Sequence, residues 1–200
     1  WWWWVVEDRR MPPFWQLKLI WLLVLASIAC TTIFEVVATD DGVNAELEEP
    51  FLLLAASQGL LSGLAHDELV SEIKKLTGGT DINSIKNPTG ETVLHVAAIS
   101  ENNGVGLVKV LHEEFEMNLD TPTTGTYQRT PLMWWLWSRS KERDSVVKYL
   151  VENGADPNRR ADDGETSLSM ADGLKMHTLK DDMIRWHEEW KKTQTGEQEL

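Results

Sequence analysis

The sequence predicts an all-α solenoid built from helix-turn-helix units joined by polar fingers. Three observations carry that reading. The first is the stretch Asp144 to Leu168, in which Val146, Val147, Leu150 and Val151 make one apolar helical face. Asn153-Gly154 then stops the helix, since Gly takes the left-handed C-terminal conformation without steric cost. A polar finger from Asn158 to Asp163 leads into the next apolar run. The second is recurrence. Gly90-Glu91-Thr92 returns as Gly164-Glu165-Thr166, and Thr130-Pro131-Leu132 fills the slot between them, with threonines 38 and 36 positions apart. The third is a hydrophobic content of 42%, enough to build a core.

Within this framework, Thr92-Val93-Leu94-His95-Val96-Ala97-Ala98 resembles the T-P-L-H-x-A-A signature of the ankyrin repeat. Gly154-Ala155-Asp156-Pro157-Asn158 resembles the G-A-D-x-N ending of that family. The resemblance spans about four repeats, from Glu49 to Trp190. It implies β-hairpin-like fingers between the helix pairs, a non-catalytic role in protein binding, and docking of partners on finger tips and the concave face of the inner helices.

The first repeat begins near Pro50. Phe51 to Gly59 is its inner helix, with Leu53 in the His slot, and Asp67 to Leu76 is its outer helix with Leu69, Ile73 and Leu76 on one face. Gly79-Thr80-Asp81-Ile82-Asn83 closes it. The unit exceeds the family length of about 33 residues, mostly at Leu60 to His66. The second repeat pairs Thr92–Ser100 with about Gly106–Phe115, and Met117-Asn118-Leu119-Asp120 is a degraded ending. The third pairs Thr130–Ser138 with about Arg143–Glu152. Here Trp134, Trp135 and Leu136 stand where the second repeat has Val96, Ala97 and Ala98, so the packing needs extra space. The fourth pairs Ser167–Ala171 with Leu179–Lys191, whose stripe Leu179, Met183, Trp186 and Trp190 opposes a charged face suited to a terminal cap. Residues 193–200 read as a frayed tail.

Upstream, residues 36–49 form an acidic linker, and residues 1–35 a signal peptide or signal anchor. Leu19 to Phe34 is uncharged and follows Lys18, but is shorter than the ~20 residues of a usual span. Ser27 and Ala29 supply small residues for a cut before Cys30. Ala29-Cys30 also hints at a lipoprotein box, although Ser27 stands where that motif has Leu. The segment fits a cleaved secretory signal, a retained anchor, or an internal hydrophobic helix. Basic residues before it and Glu35, Asp40 and Asp41 after it put the repeats on the non-cytoplasmic side in the first two cases, with a cytoplasmic location as the alternative. Met11 is an alternative start to Trp1.

The formal net charge of −13 disfavours nucleic acid and anionic lipid as ligands and is compatible with a basic protein partner. Cys30 is the only cysteine, so neither an internal disulfide nor a thiolate zinc cluster can form. His112 and His187 precede acidic pairs without H-E-x-x-H spacing and read as solvated helix faces. Gly59-Leu60-Leu61-Ser62-Gly63 lacks the register of a nucleophile elbow, and no phosphate loop occurs. No catalytic residue, metal ligand or cofactor is expected, and the chain is expected to be a monomer.

What remains is recognition. The resemblance makes His95 structural, bonded to backbone near the neighbouring finger. Transferred slot by slot, the concave face comprises His95, Ile99, Ser100, Met133, Trp137, Ser138, Ser169 and Asp172. The finger tips lie near 85–89, 123–129 and 159–163. The partner-binding candidates are Trp137, Tyr127, Met133, Ile99, Arg129, Arg159, Arg160 and Asp172. Aromatics and Arg dominate hot spots, and Arg129, Arg159 and Arg160 would form a basic edge on an acidic body. The runner-up role is a structural, membrane-tethered subunit of a larger assembly.

Overall fold

The computed structural model describes residues 50–125 and 127–196. The hydrophobic segment Leu19 to Phe34 and the linker 36–49 lie outside the described residues. Eight α-helices occur among the described residues, in four successive pairs. They are α1 Phe51–Gln58 with α2 His66–Thr77, α3 Val93–Val96 with α4 Val105–Glu113, α5 Pro131–Leu136 with α6 Arg143–Glu152, and α7 Ser167–Gly173 with α8 His177–Thr195. The inner helices α1, α3, α5 and α7 pack in sequence, as do α2, α4, α6 and α8. No helix among the described residues is long and apolar enough to cross a membrane.

Local chemistry explains the boundaries. Thr130 caps α5 by accepting from Met133 N–H, and Pro131 sits in the first turn, where its missing N–H costs nothing. Thr166 and Ser169 cap α7 reciprocally at 3.1 and 2.9 Å. Helix α1 ends on Gly59 at φ +72°. Helix α3 is a single turn that tightens into a 3-10 turn at Ala97–Ile99. Helix α8 runs to Thr195, beyond the expected start of the tail at Thr193, and its apolar stripe packs it against α6.

The repeat endings form a ladder. Asp81, Asn118 and Asp156 each fold back to accept from the backbone N–H two residues on, at 3.0, 2.8 and 2.9 Å. In the first two turns the residue two on reaches the next repeat. Asn83 Oδ1 accepts from Asn118 N–H at 3.3 Å, and the Asp120 carboxylate accepts from Asp156 N–H at 3.1 Å. The degraded ending therefore makes the same cross-repeat bond as a regular one.

The fingers are hairpin-like turns rather than strands. Asn87 N–H bonds Glu91 O, Thr123 N–H bonds Arg129 O, and Ala161 N–H bonds Glu165 O, each at 2.8–3.1 Å. Neighbouring fingers are joined through Thr124 N–H to Thr89 O and Asp162 N–H to Tyr127 O. Gly90 is required here: at φ +76° a side chain would meet Thr124 of the next finger.

Trp135 resolves the packing problem posed by the bulky third repeat. It is fully buried, and its indole N–H donates to Leu94 O of α3 at 3.2 Å. Ala97 and Ala98, both buried on the facing turn, keep the preceding layer thin enough to admit it. Asn103 ties three repeats together. Its side-chain amide donates to Ala56 O and Ala97 O at 2.6 and 2.8 Å, and its own carbonyl accepts from Ser140 Oγ.

Two histidines differ from expectation. His187 is 4% exposed and stacks on Trp190, which widens the buried stripe of α8. His112 is half-buried and bonds the Tyr149 hydroxyl at 2.9 Å, while that hydroxyl donates to Glu113. Neither is a solvated face, because a neighbouring helix covers each of them: α6 packs on α4 and on α8.

Candidate partner-binding surface

Arg129 is the hub of the region, at the return of the second finger into α5. Its backbone is fixed first. Its N–H bonds Thr123 Oγ1, and its carbonyl receives His95 Nε2–H at 3.1 Å. His95 can donate there because its Nδ1 accepts from Thr92 N–H at 3.1 Å, which sets the tautomer. Burial pushes the His95 pKa down to about 3, against the carbonyl bond, which favours the charged form. His95 is thus a neutral structural group that locks the second finger.

The Arg129 side chain is then enclosed. Its guanidinium lies 4.8 Å from the Trp137 ring centroid and 5.3 Å from that of Tyr127. One terminal nitrogen reaches Asp163 at 2.8 Å and Glu165 at 2.7 Å, and the other meets Met170 Sδ. Only 13% of the side chain stays exposed. The structure therefore brings Tyr127, Arg129 and Trp137 into one cluster with two carboxylates of the following finger. Tyr127 is 55% exposed and Trp137 half-buried, so the aromatic part of the cluster faces solvent.

Several expectations are corrected. Met133 is fully buried, because its slot is that of His95 and is covered by the stack, so it offers no surface. His95, Ser100 and Ser138 are buried as well. The basic edge does not exist as free charge. Arg129 is neutralised by its two acids, Arg159 donates to Asp120 O at 2.7 Å, and exposed Arg160 makes a long contact of 3.4 Å to Gly164 O. Ile99 is half-buried and packs against the core. Asp172 is exposed but bound to Lys180 at 2.8 Å and to His177 at 3.4 Å, and the Lys180 ammonium holds its carboxyl below the usual range. Glu165 and Met170 lie outside the expected surface, and Asp163 falls within the expected finger tip without being among the named candidates. Their signal was the acidic pair flanking Gly164 at the position where the fourth repeat meets the finger carrying Arg129.

No cluster of three or more His, Cys, Asp or Glu suited to a metal ion occurs among the described residues. The fold and this surface define a helical-repeat scaffold that presents short fingers. Residues 52–161 match the family model for ankyrin repeats in three copies, and the chain belongs to the ankyrin-repeat family. Such repeats are generally protein-interaction modules and typically non-catalytic. No curated protein matches the chain. The helix pair α7–α8 continues the stack beyond the matched residues.

Proposed function

We propose that this chain binds a protein partner across its second and third fingers and the adjoining inner-helix surface, without catalysis and as a monomer. The observation that carries this reading is the Arg129 cluster. Tyr127 stands exposed beside Trp137, with the guanidinium packed against both rings. Amphipathic, rigid aromatics of this kind supply contact area at low entropic cost. Asp162 and Arg160 stand exposed on the same edge, beside the Arg129 guanidinium held by Asp163 and Glu165, so the partner that fits makes an apolar contact ringed by charges of both signs.

The experiment is site-directed photocrosslinking in cells from position 127, with position 188 on the exposed face of α8 as the control. A discrete protein adduct from position 127, lost on Trp137→Ala and absent from position 188, is the expected result. Equal adducts from both positions, or an adduct indifferent to Trp137→Ala, would refute the assignment.

We further infer that Leu19 to Phe34 carries the repeats to the non-cytoplasmic side. A cleaved signal would yield a soluble binder, whereas a retained span would yield the tethered subunit of an assembly. Intact mass after expression from Met11 in a secreting host separates the two, and a full-length species in the cytosol supports the cytoplasmic alternative.

A further inference from the structure

The first repeat has an apolar groove on the side where, among the described residues, no earlier repeat packs. It encloses about 390 Å³ between α1, the long turn and α2, lined by Phe51, Leu54, Leu60, Leu61, Leu64 and Leu76. Phe51 is 70% and Leu60 65% exposed. The same slots are covered elsewhere. The slot of Phe51 holds Val93 and Pro131 in the second and third repeats, both buried; that of Leu54 holds buried Val96 and Met170 in the second and fourth and half-buried Trp134 in the third. There the preceding helix pair lies across them. The groove is therefore the continuation of the inter-repeat interface, a surface shaped to receive helix.

Charge selects among occupants. Glu68 and Glu72, one helical turn apart on α2, complete the lining, and no basic side chain contributes to it. Two copies meeting through this face would bring the glutamates of both together, which opposes a dimer. An anionic lipid surface is opposed by the same charges. Residues 36–49 contain five acids and no base, so they suit the rim no better.

We propose that this groove is a second docking site, distinct from the Tyr127 surface, for a short amphipathic helix of another protein that presents a Leu-type stripe flanked by Lys or Arg. The stripe fills the space between Phe51, Leu60 and Leu64, and the cations reach Glu68 and Glu72. Glu72 is available for exchange, since its present partner Lys75 is an exposed ion pair at 3.3 Å.

The test is fluorescence anisotropy of the full chain with a synthetic helix of about 15 residues, Leu at i, i+3, i+4 and i+7 and Lys beside them, against the same peptide with Glu for Lys. The Lys peptide is expected to bind at least about tenfold more tightly than the Glu peptide. Leu60→Asp, at an exposed position, is expected to weaken it by a similar factor, and Glu72→Lys to narrow or reverse the preference. Tyr127→Ala leaves this binding unchanged. No binding by the full chain, as when upstream residues already fill the groove, overturns the proposal. So does equal affinity for both peptides, or a dimer in sedimentation that Leu60→Asp dissociates.

Discussion

Acid should weaken this fold through His95, and the size of the effect follows from the geometry. The ring is fully buried, accepts from Thr92 N–H at Nδ1, and donates from Nε2 to Arg129 O. Its pKa falls from 6.5 to about 3, chiefly by burial. The unfolded chain therefore binds this proton first as pH drops. Stability is complete above about pH 6.5 and declines toward pH 3, in the direction linkage requires when the unfolded state holds more protons. At about pH 5 the loss is about 2 kcal/mol, and the full gap corresponds to about 5 kcal/mol. His187 acts in the same direction, since burial also lowers its pKa against the pull of Asp156. Urea melts at about pH 7.5 and 5 should thus be run on a His187→Gln background, with ring nitrogen shifts of His95 followed by NMR. His95 is expected to remain the neutral Nε2–H tautomer throughout, while stability falls by about 2 kcal/mol. A His95 ring titrating near 6.5, or no pH dependence of the melts, would refute the reasoning.

Three further substitutions test the packing. Trp135→Phe leaves Leu94 O without its indole donor and opens a void, so a loss of about 2–4 kcal/mol is expected in chemical denaturation. Asn103→Ala removes donors to Ala56 O and Ala97 O, both in the interior, and should cost about 2–3 kcal/mol with a matching fall in Tm. Asp120→Asn should leave Tm unchanged or raise it near neutral pH. Burial pushes the Asp120 carboxyl up, against the Asp156 N–H and Arg159, so its charge is held at a cost, and Asn83 already performs the equivalent cross-repeat role as an amide. That stabilisation should vanish once acid protonates Asp120.

The helices were legible where their apolar faces were continuous. Helix α6 runs Arg143–Glu152, the bounds its valines and leucine imply. Helix α5 ends at Leu136, two residues short of the expected Ser138, with Trp137 as its C-cap still in right-handed helical conformation. The role of His95 was legible from the repeat signature, and the burial of Met133 in the same slot was open to the same reasoning. The environment of Arg129 was not. A slot fixes the face of a helix on which a side chain starts, whereas Asp163 and Glu165 approach from the following repeat, 34 and 36 residues away in sequence. Asn103 escaped for the same reason, since its acceptors belong to two different repeats and nothing periodic marks them.

The bonds that hold the stack are also those that aim the proposed binding surface. His95 fixes the Arg129 carbonyl from the second repeat, Asp162 N–H fixes the Tyr127 carbonyl from the fourth, and Asp163 and Glu165 fix the guanidinium. Tyr127 and Trp137 are thereby positioned before any partner arrives, so little ordering is charged against binding. The arrangement makes Arg129 a positioning residue more than a contact. Arg129→Lys keeps one positive charge for the carboxylates but loses the flat face against both rings and the two-pronged reach to acid and sulfur. It should leave the melting transition within a few degrees of wild type, yet reduce crosslinking from position 127 about as much as Trp137→Ala does. Normal crosslinking in Arg129→Lys would show that the rings hold their places without the guanidinium, and that the contact surface is set by the finger backbone alone.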